Sequence, residues 1–253
     1  MVGALLGPIR ESLDAAPRPV DIFFRDDDVG WEDGRLWELL DIFEEHGVPV
    51  DLAVIPTELD AALAGRLGHR TESSPHGVGL HQHGFAHINH EAAGRKYEFG
   101  SSRTRRLQRR DLLEGRGRLR DLLGPEVDPI FTPPWNRCTR TTGLCLAELG
   151  YEVLSREGRA TPLGIPALVE LPVSVDWFAN RKGVRLTGAE WGAMVAGRIR
   201  SGGPVGFMFH HALMDADERA AAGALLSLIT QHPRASPSRM RPLARVSPDT
   251  ASV

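Results

Sequence analysis

Three aspartates in succession, Asp26, Asp27 and Asp28, follow the apolar run VDIFF (20–24), with Arg25 between. Carboxylates at the end of an apolar strand can cap the helix that follows, but a cap explains one acid, not three. Further on, His83 and His87 lie four apart. On a helical turn that spacing puts two imidazoles on one side, close enough to share a metal ion. Such a pair is common on protein surfaces, and the acidic cluster is what makes it a metal candidate. Two imidazole nitrogens and one carboxylate oxygen leave positions open for water and substrate, the arrangement of a catalytic metal site. They suit Zn2+, with Co2+, Ni2+ or Mn2+ as other divalent candidates. A second carboxylate of the cluster then stays free to accept a proton from an activated water.

Elements that can carry these groups alternate along the chain. Short apolar runs such as VDIFF, VPVDLAVIP, GVGL, DPIFTP, YEVLS, ALVELPVSVDW and GPVGFMFHH read as strands. Between them, amphipathic stretches such as GRLWELLDIFEEHG, with Leu36, Leu39, Leu40 and Phe43 on one face, read as helices. Strands alternating with helices predict a mostly parallel sheet or barrel. Polar residues recur at the downstream ends of the strands: RDDD, HQHGFAH, TPPWN, VDW and HH. In a parallel barrel those ends converge on one face, where active sites form. After Pro233 the periodicity fades into Pro, Ser and Arg. One domain over 1–235 and a flexible tail over 236–253 are therefore expected.

Composition narrows the function classes. Thirty Lys and Arg against 33 Asp and Glu give a net charge of −3, so nothing draws the chain to nucleic acid or anionic lipid as a whole. The arginine-rich segment SSRTRRLQRRDLLEGRGRLRDLLG reads as a solvated helix face laced with acids. No apolar run approaches the ~20 residues of a membrane span. The opening MVGALLGPIRESLDAAPRP lacks a basic leading region and a cleavage site, so a cytoplasmic location without membrane insertion is expected. Cys138 and Cys145 read as packing thiols, too few and too far apart for a disulfide framework or zinc site. No Gly-x-Ser-x-Gly elbow is present for a serine nucleophile.

The polar strand ends together resemble the polysaccharide deacetylases of carbohydrate esterase family 4, the NodB-homology fold. That family's Asp-Asp motif is similar to Asp27-Asp28, and its His-Ser/Thr-x-x-His motif to His83-Gly84-Phe85-Ala86-His87. Its Arg-x-Pro-Trp/Tyr motif is similar to Thr132-Pro133-Pro134-Trp135. Its Asp-Trp ending matches Asp176-Trp177, and its strand ending in His matches FMFHH with His210 or His211. The matches run from Phe23 to His211 in the family's order.

The resemblance implies a distorted (β/α) barrel of about seven parallel strands. It also implies a divalent metal and hydrolysis of an N-acetyl or related acyl group on a sugar or oligosaccharide substrate. It places Asp28, His83 and His87 on the metal and Asp27 as general base, with Asp26 the alternative. His210 would be the general acid, with His211 the alternative, and Asp176 its charging partner. Trp135, Trp177, Pro134 and Arg25 would lie against the substrate, with a backbone N–H near Trp135 on the oxyanion.

Two residues depart from the pattern. Thr132 stands where the family has an arginine that partners the base, so Arg25 or Arg137 must reach in. Gly84 replaces the hydroxyl residue that braces the histidine pair. Two alternatives stand beside the sugar deacetylase: hydrolysis of a C–N bond in a small metabolite, which the missing signal peptide favours, and a catalytically silent carbohydrate-binding relative, which Thr132 and Gly84 favour.

Overall fold

The structure, a computed structural model, describes residues 2–74 and 77–246. Strand β1 (Val20–Val29) sends its side chains alternately to two apolar layers, as the period of two requires. Ile22 and Phe24 face the helices, packed with Leu36, Leu39 and Phe43 of α2 (Asp33–Glu45). Phe23 faces the other way and meets Ile130, Val153, Leu171 and Met208. Those partners sit on β4 (Val127–Thr132), β5 (Val153–Leu154) and β10 (Val205–Phe209) or follow β6 (Val169–Glu170). Side chains from β1 and from strands three and four places away thus share one cluster, so the sheet curls around it.

Along the same path lie β2 (Val50–Val54), β3 (Val78–His83) and β7 (Val175–Asp176). The hydrogen-bonded order is β6-β5-β4-β3-β2-β1-β10-β7, every pair parallel, with no pairing between β6 and β7. This is a distorted, incompletely closed (β/α) barrel, with eight parallel strands along this path among the described residues where about seven are expected. The expected single strand ALVELPVSVDW divides into β6 and β7 because Pro172 between them has no N–H to donate to a ladder.

Outside the barrel lie α1 (Val2–Asp14), α3 (Ala61–Ser73), α4 (Arg105–Leu123), α5 (Arg140–Glu148), α6 (Gly188–Ser201) and α7 (Ala216–Gln231). Asp60 and Thr104 cap α3 and α4 by accepting from Leu63 N and Leu107 N at 2.8 and 3.4 Å. The opening segment folds as α1 against α6, with Ile9 and Leu13 buried. Arginines of α4 bind neighbouring elements: Arg118 donates to Pro56 O and Leu59 O, and Arg116 to Leu149 O. The short antiparallel pair β8 (Asn180–Arg181) and β9 (Val184–Arg185) stands apart from the main sheet. Cys138 and Cys145 are both buried and free. Among the described residues, no helix is long and apolar enough to cross a membrane.

The flexible tail expected from residue 236 is corrected by the structure. Strand β11 (Ala235–Pro237) pairs in parallel with β1, and α8 (Met240–Val246) follows. Met240, Leu243 and Ala244, at helical spacing, close one end of the barrel interior beside Phe23 and Ile130. Met240 N donates to the buried Asp51 at 2.8 Å, and Arg239 and Arg241 pair with Asp128. Residues 247–253 of that expected tail lie outside the described residues.

Candidate metal centre

Arg25 and Asp27 share a strand face, two residues apart, and both point inward. Neighbours on a regular strand point to opposite sides, yet Asp28 reaches the same site as Asp27. The cause is local. The β1–β2 register shifts between Asp26 and Val29, and Asp28 adopts φ 69°, the left-handed region that a bulge exploits to re-aim a side chain. His83 is the last residue of β3 and points inward. The segment to His87 is not the helical turn expected from the four-residue spacing. It is a tight bend with Gly84 at φ 58° and His87 at φ 54°.

The bend brings three ligand atoms together. Asp28 Oδ1 lies 3.1 Å from His83 Nε2 and 3.2 Å from His87 Nε2, and the set lies within 4.8 Å of one another. His83 Nδ1 donates to Thr132 O at 3.1 Å, which orients the ring and aims Nε2 at the cluster. The donor set therefore fits a divalent ion by atom type and orientation: two imidazole nitrogens, one carboxylate oxygen and one imidazole braced by a backbone carbonyl. Burial opposes protonation of His83, but its hydrogen bond to Asp28 and the charges of Asp27 and Asp28 raise its pKa above the usual imidazole value. Burial favours a neutral Asp28. Its bonds to His83 and His87 outweigh that and hold it well below the ordinary carboxylate range.

Asp27 lies beside this set, buried and separately held. Arg25 donates Nε to Oδ1 at 2.7 Å and Nη2 to Oδ2 at 2.8 Å, a bidentate fork. Arg25 is itself 0% exposed and also donates to Ser155 Oγ at 2.7 Å and Asn136 Oδ1 at 2.5 Å. Burial pushes the Asp27 pKa up, but the charges of Arg25, His83 and His210 and the Arg25 bonds bring it below the usual value. Arg25 is therefore the buried ion-pair partner of Asp27, with no face exposed to a substrate. Arg137 instead approaches Glu157 at 3.9 Å.

The structure separates the remaining alternatives. His210 Nε2 faces the cluster, 3.8 Å from Asp28 Oδ2. His211 lies behind it, fully buried. It bonds Asp26 through Nδ1 to Oδ2 at 2.6 Å and through its own amide to Oδ1 at 2.9 Å, while Nε2 donates to Trp31 O at 2.7 Å. Asp26 and His211 thus form a buried ion pair beneath the site and do not reach into it.

Asp176 and Trp177 cannot both face the site from one short strand. Burial raises the Asp176 pKa, partly offset by the Phe178 N–H bond and the His210 charge. No hydrogen bond joins Asp176 to His210, whose buried Nδ1 has no partner among the described residues. Trp177 packs in the outer core against Trp191 and Phe209, centroids 5.0 Å away in each case, so it forms no wall. Pro134 is buried and packs over Gly84, where it shapes the bend.

Two indoles do flank the site. Trp135, at φ 54°, lies 4.6 Å from the His87 ring, and Trp31 lies 4.8 Å from it on the loop after β1. Trp31, Asn136, Ser155 and Glu98 are missed by sequence reasoning. Trp31 lies three residues after the acidic cluster, and Asn136 and Ser155 close the strand-end stretches TPPWN and YEVLS, whereas Glu98 has no such cue.

The Asp26–His211 pair carries a stability prediction. Burial disfavours the imidazolium, but the Asp26 charge and bond, with the Trp31 carbonyl, push its pKa up to about 9. A raised pKa stabilises the fold fully below the unfolded value of about 6.5 and loses that contribution as pH rises through about 9. The term is on the order of 3 kcal/mol. The melting temperature of the wild type is expected to fall between about pH 7 and 10 more steeply than that of His211→Gln. Parallel curves for the two proteins would remove the pair from the stability account.

No protein-family model and no curated protein sequence matches the chain. Solved structures do. A Mycobacterium smegmatis protein described as a polysaccharide deacetylase aligns at TM-score 0.65, with 20% identity over 90% of each chain. A family 4 acetyl xylan esterase of Clostridium thermocellum, in complex with a cobalt ion, aligns at 0.57 with 14% identity, over 89% of this chain and 91% of that one. A family 4 pseudoenzyme of Bacillus anthracis aligns at 0.57 with 11% identity, over 90% of this chain and 66% of that one. The chain has the fold these proteins share.

Proposed function

We propose that this chain is a divalent-metal-dependent hydrolase that removes an N-acetyl or related acyl group from an amino-sugar substrate. The observation that carries the reading is the convergence of Asp28, His83 and His87 beside a carboxylate outside the donor set, Asp27, and opposite an imidazole, His210. The donor set suits Zn2+, and Co2+, Ni2+ and Mn2+ are compatible with it. A divalent ion held there supplies Lewis acidity, which acidifies a water and polarises the scissile carbonyl.

The protein's own groups do the rest. Asp27, ionised and fixed by Arg25, accepts the proton of the attacking water. Developing negative charge on the carbonyl oxygen meets the backbone N–H of Trp135. His210 gives a proton to the departing nitrogen, so acetate and a free amine leave without a covalent enzyme intermediate. Trp31 and Trp135 offer apolar faces beside the reacting centre, suited to the carbon-bound hydrogens of a sugar ring.

A second reading, a silent carbohydrate-binding relative, draws on the pseudoenzyme among the structural neighbours and on Thr132 and Gly84. Arg25 at the base and His210 facing the donor set favour turnover. The test is acetate release from N-acetylated oligosaccharides by purified protein, with elemental analysis of the same sample. Acetate release that stops on chelation and returns with Zn2+ or Co2+ is expected. Formate in place of acetate would point to the small-metabolite substrate. Protein without stoichiometric metal or turnover would favour the silent relative.

A further inference from the structure

We propose that Glu98 is the positioning residue that fixes His87 for metal capture, a carboxylate brace where residue 84 has no side chain. The inference rests on the metal reading above. Glu98 lies between His87 and α4 and is 1% exposed. Its Oε2 accepts from Phe85 N at 3.0 Å and its Oε1 from Ala86 N at 2.7 Å. These are consecutive amides of the bend that joins the two metal-facing histidines. Among the described residues Glu98 has no ion-pair partner, so the two N–H groups are what answers its charge. A buried carboxylate without a counter-ion is costly. Two charge-assisted bonds from successive amides form the type of concave nest that tolerates it.

The bend needs such a brace. Gly84 and His87 both hold left-handed backbone, a conformation that persists for a non-glycine residue only when its surroundings over-determine it. Gly84 N donates to Thr132 O at 3.0 Å, which ties the bend at its His83 end. Glu98 ties it at the His87 end. Glu98 is anchored in turn by its neighbour Phe99, which is fully buried, lies edge-on to Phe131 at 5.2 Å, and accepts through its own carbonyl from Thr139 N at 3.2 Å. A Cβ on residue 84 would lie 2.1 Å from Glu98 Oε2 and 2.5 Å from Pro134 Cγ. A side chain at 84 would therefore crowd both the Glu98 carboxylate and Pro134, at a position whose left-handed backbone already favours glycine.

The test compares the wild type with Glu98→Gln and Glu98→Ala. Zn2+ affinity is measured by competition with a chromogenic chelator, and amide exchange at Phe85 and Ala86 is measured in metal-free protein. The wild type is expected to bind one equivalent and Glu98→Ala about 10–100-fold more weakly. Glu98→Gln should fall between them, because an amide offers one acceptor oxygen to two N–H donors. Both variants should exchange Phe85 and Ala86 faster. If Glu98→Ala does not fold, the near-isosteric Glu98→Gln carries the comparison. Wild-type affinity in the folded variants would overturn the brace and leave the functional reading standing. A wild type that binds no ion would overturn both.

Discussion

Asp27→Asn is expected to lower kcat by about 10²–10⁴-fold while metal uptake stays at one equivalent, the range that a lost general base costs. Asparagine keeps the shape but cannot accept the proton. It also turns an amide NH2 toward one arm of the Arg25 fork, which now donates to both carboxylate oxygens. Because Asp27 is held below the usual carboxylate pKa, the proposed base stays ionised throughout neutral pH. Its acid limb is expected on the low side of the ordinary carboxylate value. Steady-state rates at saturating Zn2+, paired with elemental analysis, make the comparison. Full activity in Asp27→Asn would assign the base elsewhere.

The second large effect is on metal binding itself. His83→Ala removes one of the three proposed ligands and the ring that Thr132 O orients. Its loss of affinity is expected to exceed the about 10–100-fold that losing a supporting hydrogen bond costs. The raised pKa of His83 means that a proton competes for Nε2, so uptake releases a proton and affinity falls as the pH is lowered. Isothermal titration in buffers of different ionisation enthalpy reads both quantities. Unchanged affinity in the variant, or uptake independent of pH, would remove His83 from the site.

Much of this site was legible because strand and helix periods are strong signals. The acids after VDIFF, the histidines after GVGL and the final HH fall at strand ends, and a parallel sheet carries all such ends to one face. Arg25 was legible in part, since residues two apart on a strand share a face. That its fork would close on Asp27 depends on space inside the barrel.

Other features have no sequence period. Glu98 acts through backbone amides, so no residue pattern marks it. The resemblance sets Trp177 against the substrate through the Asp176-Trp177 pair, but adjacent strand residues diverge and Trp177 lies in the core. The segment after Pro233 looked structureless because its apolar trio, Met240, Leu243 and Ala244, sits among prolines and arginines. The two departures at Thr132 and Gly84 looked like losses one position at a time. In space Arg25 holds Asp27 in one case, and Glu98 bonds the histidine bend in the other.

The most direct measurement is a crystal structure of Co2+- or Zn2+-loaded protein with anomalous diffraction at the metal edge. The expected map has one strong peak about 2.0–2.2 Å from an Asp28 carboxylate oxygen and the Nε2 atoms of His83 and His87. Asp27 should lie outside the coordination sphere and His210 across from it. A peak elsewhere, or none at full metal loading, would contradict a shared cation at these three side chains.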